Sequence, residues 1–213
     1  MSKVCTKMVP KELTEEQKQR SVTNCQDFLE RQDDILGHFI TSDETWVYQY
    51  DPETKWQIAR WKTVNSPRPK KFHQSKSRVK TMLLTFFDIR GIVHYEFVPT
   101  GQSTKFTIWK YWKSCMKKLD GNDLNFCQQL MVLHHDNASA HMALSVRQFV
   151  AAKQITVLEL PAYSPDLAPN YFFLFPKMKE ILKGRHFNNT DDISINTMAA
   201  LNTIPHNQFQ NFF

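Results

Sequence analysis

The sequence predicts an α/β protein, a mixed sheet flanked by helices: an antiparallel meander first, then parallel strands that alternate with helices. Three observations carry this. Residues 40–50, Lys80–Asp88 and 92–98 are short runs rich in β-branched and aromatic residues, the last two separated only by Ile89-Arg90-Gly91. From residue 130 onward, short apolar runs alternate with segments of helical periodicity. The chain has 213 residues, 41% hydrophobic and 13% aromatic, enough to bury one core and too apolar for a disordered chain.

The elements follow in order. Thr14 with Gln17 three residues on is a capping-box pattern, and Val22, Cys25, Phe28 and Leu29 continue at helical spacing to a stop at Gly37. This helix is mostly polar, so it should lie on a surface. Residues 40–50 read as the first strand, Asp51-Pro52-Glu53 as a turn and residues 56–61 as a second strand. Two more strands follow at 80–88 and 92–98, then a helix at 104–119 with Phe106, Trp109, Trp112 and Met116 on one side. A buried strand at 130–135, a helix at 138–153, a strand at 155–160 and a helix at 173–182 come next. Asn188-Asn189-Thr190-Asp191-Asp192 should cap a last helix at 192–201, and Phe209, Phe212 and Phe213 read as an apolar end left uncovered. The Phe172–Phe175 run and the Trp109/Trp112 pair read as core rather than as a base-stacking platform.

Other features narrow the function. No run of 18 apolar residues exists, so no membrane-spanning helix is expected, and the first residues lack the apolar stretch of a secretory signal. The four cysteines show no Cys-x-x-Cys spacing and read as reduced thiols. The net charge is +6, unevenly spread: residues 61–90 hold eight Lys/Arg against Asp88 alone. Within them, the Pro-punctuated loop with Arg68, Lys70, Lys71, Lys76 and Arg78 suits a phosphate backbone; a merely solvated basic loop is the alternative reading.

Two carboxylates stand out by context. Asp43 lies within the first strand and Asp136 directly follows the apolar Met131-Val132-Leu133 run. Acids on neighbouring strands at a sheet's cleft could share Mg²⁺ or Mn²⁺, since hard cations prefer oxygen ligands; an acid at a strand end also reads as a turn or cap residue. His134, His135 and His141 lack the partner pattern of a zinc site, and His141, read as one turn into a helix, suits a capping or supporting role better.

Five segments in order carry a resemblance: Val9-Pro10-Lys11-Glu12-Leu13, Thr41-Ser42-Asp43-Glu44-Thr45-Trp46, Ser66-Pro67-Arg68-Pro69-Lys70-Lys71, His135-Asp136-Asn137-Ala138 and Tyr163-Ser164-Pro165-Asp166-Leu167-Ala168-Pro169. From about residue 4 onward the chain closely resembles the catalytic domain of mariner-type transposases, of the retroviral-integrase and RNase H-like group. The resemblance implies an RNase H-like domain over 38–213, C-terminally truncated, after a linker and helix over 1–37. It implies Mg²⁺- or Mn²⁺-dependent DNA cleavage and strand transfer, DNA as partner, a homodimer joined partly by a clamp after the first strand, and a nuclear location. Asp43 and Asp136 match the first two of the family's three metal-binding aspartates. The third is due after 34 intervening residues, at a position that holds Tyr171. A neutral phenol brings no charge at pH 7, so impaired catalysis is expected, with Asn170 as a conceivable substitute ligand and Asp166 as a turn residue. Met8 and Ser139-Ala140 also depart from the family pattern, and the end-reading helix-turn-helix region is missing. The alternative is a non-catalytic DNA-binding or protein-interaction remnant.

Overall fold

The computed structural model describes residues 11–67, 69–72, 74–98, 110–111, 114, 131–136, 141 and 144–213. Helix α1 (Glu15–Ile35) starts at the expected capping box: the Thr14 hydroxyl accepts from the Gln17 backbone, and the Gln17 side chain accepts from the Thr14 backbone. It ends two residues before Gly37. The Leu36 N–H still bonds Gln32, and the chain then tightens into a 3₁₀ turn, Leu36–His38, that contains Gly37.

Five strands form one sheet: β1 (Phe39–Tyr48), β2 (Lys80–Asp88), β3 (Gly91–Val98), β4 (Val132–His135) and β5 (Thr156–Glu159), in the order β3-β2-β1-β4-β5. β1, β2 and β3 pair antiparallel; β4 runs parallel to β1 and to β5. The β2–β3 turn is fixed by Asp88, whose Oδ1 accepts from the backbone N–H groups of Arg90 (2.8 Å) and Gly91 (3.1 Å). Gly91 has φ +137, which only glycine adopts readily.

Nearly every residue of β2 is buried because both faces of the sheet are covered. On one face Leu84 and Phe86 join Ile40, Leu133 and α2 (Leu144–Ala152) through Val146 and Val150. On the other, Leu83 and Phe87 pack against α3 (Phe175–Leu182), α4 (Thr190–Asn202) and α5 (His206–Gln210). Asn189 caps α4 by accepting from the Asp192 N–H. The sequence reading did not include α5. Nor is the aromatic end left open: Phe209 is buried, Phe212 stacks on Phe173 at 4.4 Å, and Phe213 meets Phe39 edge-on and Phe87 at a tilt.

Residues 56–61 are not a strand. Residues 55–58 form turns, and Trp56 and Trp61 are solvent-exposed. β1 already has β2 on one side and β4 on the other, so no edge is open beside it. Of the helix read at 104–119, Lys110, Tyr111 and Ser114 are described and helical; the rest lies outside the described residues, as do Met8 and Ser139-Ala140. His141 sits in a turn ahead of α2, not inside a helix.

Candidate active site

The sheet brings the two sequence-selected aspartates together. Thr41 of β1 is level with His134 of β4, and the strands are parallel, so Asp43, two residues past Thr41, and Asp136, directly after β4, come to the same end of the sheet, close enough for their charges to interact. Asp43 is buried, and its Oδ1 accepts from the Glu44 backbone N–H at 2.7 Å. Burial, then the Glu44 carboxylate and Asp136, push its carboxyl up to about 8 against the pull of that hydrogen bond and of His141. Buried negative charge is crowded here.

Glu44 points to the opposite face, as strand alternation requires. There His141 Nε2 lies 3.4 Å from Glu44 Oε1 and 3.5 Å from Asp136 Oδ1. Burial draws the His141 imidazole down, but Glu44, Asp136 and Asp43 outweigh it and hold it above the usual histidine range. His135 donates from Nδ1 to the Asp136 carbonyl at 2.6 Å and lies 4.8 Å from the His141 ring. His134 faces the other way, 3.4 Å from the Thr41 hydroxyl, and burial lowers it to about 4. The three histidines do not converge on one point.

Position 171 lies in a single π turn, Asn170–Leu174, that leads into α3. The Tyr171 ring is half-exposed, and burial followed by the charges of Asp43, Asp136 and Glu44 raises its phenol above the usual tyrosine range. Asn170 cannot stand in as a ligand. It is fully buried; its Oδ1 accepts from Thr85 Oγ1 at 3.0 Å and its Nδ2 donates to Thr41 Oγ1 at 3.3 Å. Its amide ties the π turn to β1 and β2. Asp166 sits in the short turn Pro165–Leu167.

Of the basic loop, Arg68 lies outside the described residues, while Lys70, Lys71, Lys76 and Arg78 are exposed. Lys71 pairs with Glu53, and Lys76 pairs with Asp51 at 3.3 Å. The sequence reading passed over Lys179, whose Nζ donates to Thr45 Oγ1 at 2.6 Å. Burial, then Lys76, draw its ammonium below the usual lysine range. Two helical turns separate it from Tyr171, a spacing that could have flagged it.

Two neighbouring aspartates provide oxygen donors of the kind that holds one hard divalent ion, and the elevated carboxyl of Asp43 marks a place where a cation would relieve repulsion. Tyr171 adds no carboxylate for a second ion. Among the described residues no group of three His, Cys, Asp or Glu side chains is arranged as a metal cage.

An antiparallel meander joined to parallel strands, helices on both faces and paired acids on the central strands define an RNase H-like fold. Residues 54–194 match the DDE superfamily endonuclease family, and the chain belongs to it. It is 28% identical over 194 residues to the Mariner Mos1 transposase of Drosophila mauritiana, covering 87% of this chain and 54% of that protein. It is 31% identical over 193 residues to the histone-lysine N-methyltransferase SETMAR of Homo sapiens, covering 87% of this chain and 27% of that protein. The crystal structure of the Mos1 mariner paired end complex with Mn matches with a TM-score of 0.86 at 24% identity, over 100% of this chain and 62% of that one. The chain thus spans about half the length of the Mos1 transposase and about a quarter of SETMAR.

Proposed function

We propose that residues 38–213 are a mariner-type transposase catalytic domain, built for metal-dependent DNA cleavage and strand transfer, whose chemistry is impaired because Tyr171 replaces the third metal-binding aspartate. The observation that supports the reading is the parallel β1–β4 register, which brings the strand ends that carry Asp43 and Asp136 next to each other. Mg²⁺ or Mn²⁺ would be held by these two carboxylates. When bound, such an ion supplies charge stabilisation at a phosphoryl group and an activated hydroxyl. The residues around it have separate roles: His141 steadies Asp136 from behind, Glu44 holds His141, and Asn170 fixes the turn that carries Tyr171. Lys70, Lys71, Lys76 and Arg78, with Arg68, would contact DNA backbone. The exposed loop with Trp61, Val64 and Phe72 would reach a second copy of the chain in a homodimer. Action on chromosomal DNA would put the protein in the nucleus.

The test is Mn²⁺-dependent nicking of supercoiled DNA by the unmodified chain, Tyr171→Asp and Asp136→Asn. Cleavage by Tyr171→Asp alone is the expected result. Cleavage by the unmodified chain that Asp136→Asn abolishes restores full enzyme status. Cleavage that survives Asp136→Asn defeats the site assignment. Alanine at both Lys70 and Lys71 should weaken duplex binding on any sequence and reduce its dependence on salt.

A further inference from the structure

The cleavage reading leaves unused an open groove of about 740 Å³ between residues 54–57 and α3. Trp56, Tyr171, Lys179 and Lys183 line it, with Phe175 beneath. Its walls are fixed to each other: Gln57 Nε2 donates to the Glu180 carbonyl at 2.8 Å, and the Gly184 N–H donates to the Asp51 carbonyl at 2.8 Å. The near wall is itself a closed turn, in which Thr54 and Gln57 bond each other's backbone N–H and side chain.

Two kinds of side chain meet in this groove. The first is aromatic: Trp56 is 90% exposed and Tyr171 52%, with the Tyr171 ring set edge-on to Phe175 at 6.0 Å. Large rings left in water next to a packed core need a reason. The second is cationic. Lys179 is anchored on Thr45 and lies close enough to Lys76 and Lys183 to feel both charges. Lys76 stands 4.8 Å from the Tyr48 ring, and Lys80 stands 4.0 Å from that of Trp46 and 5.8 Å from that of Tyr48. Lys179 also stands 5.7 Å from the Phe175 ring on this side, whereas Lys80, opposite Tyr48 in the β1–β2 pair, lies on the other face of the sheet. Asp51 answers Lys76, and the Glu180 carboxylate is exposed at the groove wall, which leaves net positive charge.

Rings spaced among lysines in a groove are the elements of a single-strand platform, in which bases stack and the cations follow the phosphates. A duplex keeps its base faces inside the stack and cannot offer them to Trp56 or Tyr171. We propose that this groove binds an unpaired DNA strand, with bases on Trp56 and Tyr171 and phosphates on Lys179 and Lys183. The proposal rests on the reading of the chain as a DNA-handling domain and names the form of DNA its site holds. It also gives Tyr171 a positive role: the residue that costs the site a metal ligand supplies a stacking face.

Fluorescence anisotropy with labelled oligothymidine, a short duplex and oligouridine, without divalent ions, tests it. Oligothymidine should bind more tightly than the duplex. Trp56→Ala and Tyr171→Ala should each weaken oligothymidine binding about fivefold or more and leave duplex binding unchanged. Tyr171→Phe, which keeps the ring, should bind as the unmodified chain does, showing that the loss in Tyr171→Ala is not a folding defect. Lys179→Ala should weaken the same complex and flatten its salt dependence. Equal losses on both DNA forms, or no loss in either aromatic variant, overturns the groove assignment; tighter oligouridine binding overturns the choice of DNA. If the Lys70/Lys71 double alanine variant keeps full duplex affinity while the aromatic variants lose oligothymidine, the basic-loop reading fails and the groove stands. The reverse pattern sinks the groove and leaves the loop.

Discussion

The floor and the wall of the candidate site have diverged. The floor is β1 and β4, where Asp43 is buried within β1 and Asp136 directly follows β4, half-exposed. The wall is the π turn and α3, where a carboxylate is expected and Tyr171 stands, with Lys179 two turns on. Changing Asp43 in the floor disturbs a buried electrostatic balance, whereas position 171 is half in water and admits a ring. A substitution at the half-exposed position 171 is structurally cheap, and one at buried Asp43 is not.

The largest effect expected from breaking this contrast comes from Asp43. Its carboxyl is raised to about 8 in the folded state from 3.8, so between those values the folded protein holds a proton that the unfolded chain has released. Stability contributed by that proton is full below about pH 4, falls by up to about 1.4 kcal/mol per pH unit as pH rises, and is gone above about pH 8. Asp43→Asn should flatten this fall and be more stable than the unmodified chain at the alkaline end, read from urea midpoints across the window. An unchanged slope would mean that Asp43 is not the group under strain.

Next comes the joint between floor and wall. Asn170→Ala leaves two buried threonine hydroxyls without the amide that joins them, at a cost of about 3 kcal/mol in thermal or urea unfolding. Tyr171→Asp should leave stability near the original and tighten Mn²⁺ binding at least about tenfold, measured by electron paramagnetic resonance titration; no tightening would separate Tyr171 from the carboxylate pair. The smallest effect belongs to the groove rim: Thr54→Ala removes the turn closure at about 1 kcal/mol or less, seen as faster amide exchange around Gln57.

The same four-residue pattern was legible in one place and misread in another. Thr14-x-x-Gln17 announced the start of α1 because helical periodicity followed it. Thr54-x-x-Gln57 closes a turn in the same manner, but the aromatic-flanked run at 56–61 reads as a strand in the sequence. What decides between the two is whether a sheet edge is free, and β2 and β4 already occupy both sides of β1. Asn170 shows the same limit. Its chemistry as an oxygen donor was readable, but its engagement with Thr41 and Thr85 comes from residues 129 and 85 positions away.

The sequence by itself determined the five strands of the sheet, their antiparallel-then-parallel order and the start of α1, together with the identities at positions 43, 136 and 171, because periodicity, turn chemistry and residue identity are local. Only the tertiary structure decided that β1 and β4 are neighbours and bring Asp43 and Asp136 within range of each other's charge, that Glu44 turns away to His141, that Asn170 is spent in the core, and that Trp56, Tyr171 and Lys179 line one groove. These relations come from strand register and from helix packing between segments far apart in the chain, and no local pattern encodes which distant partner a side chain will meet.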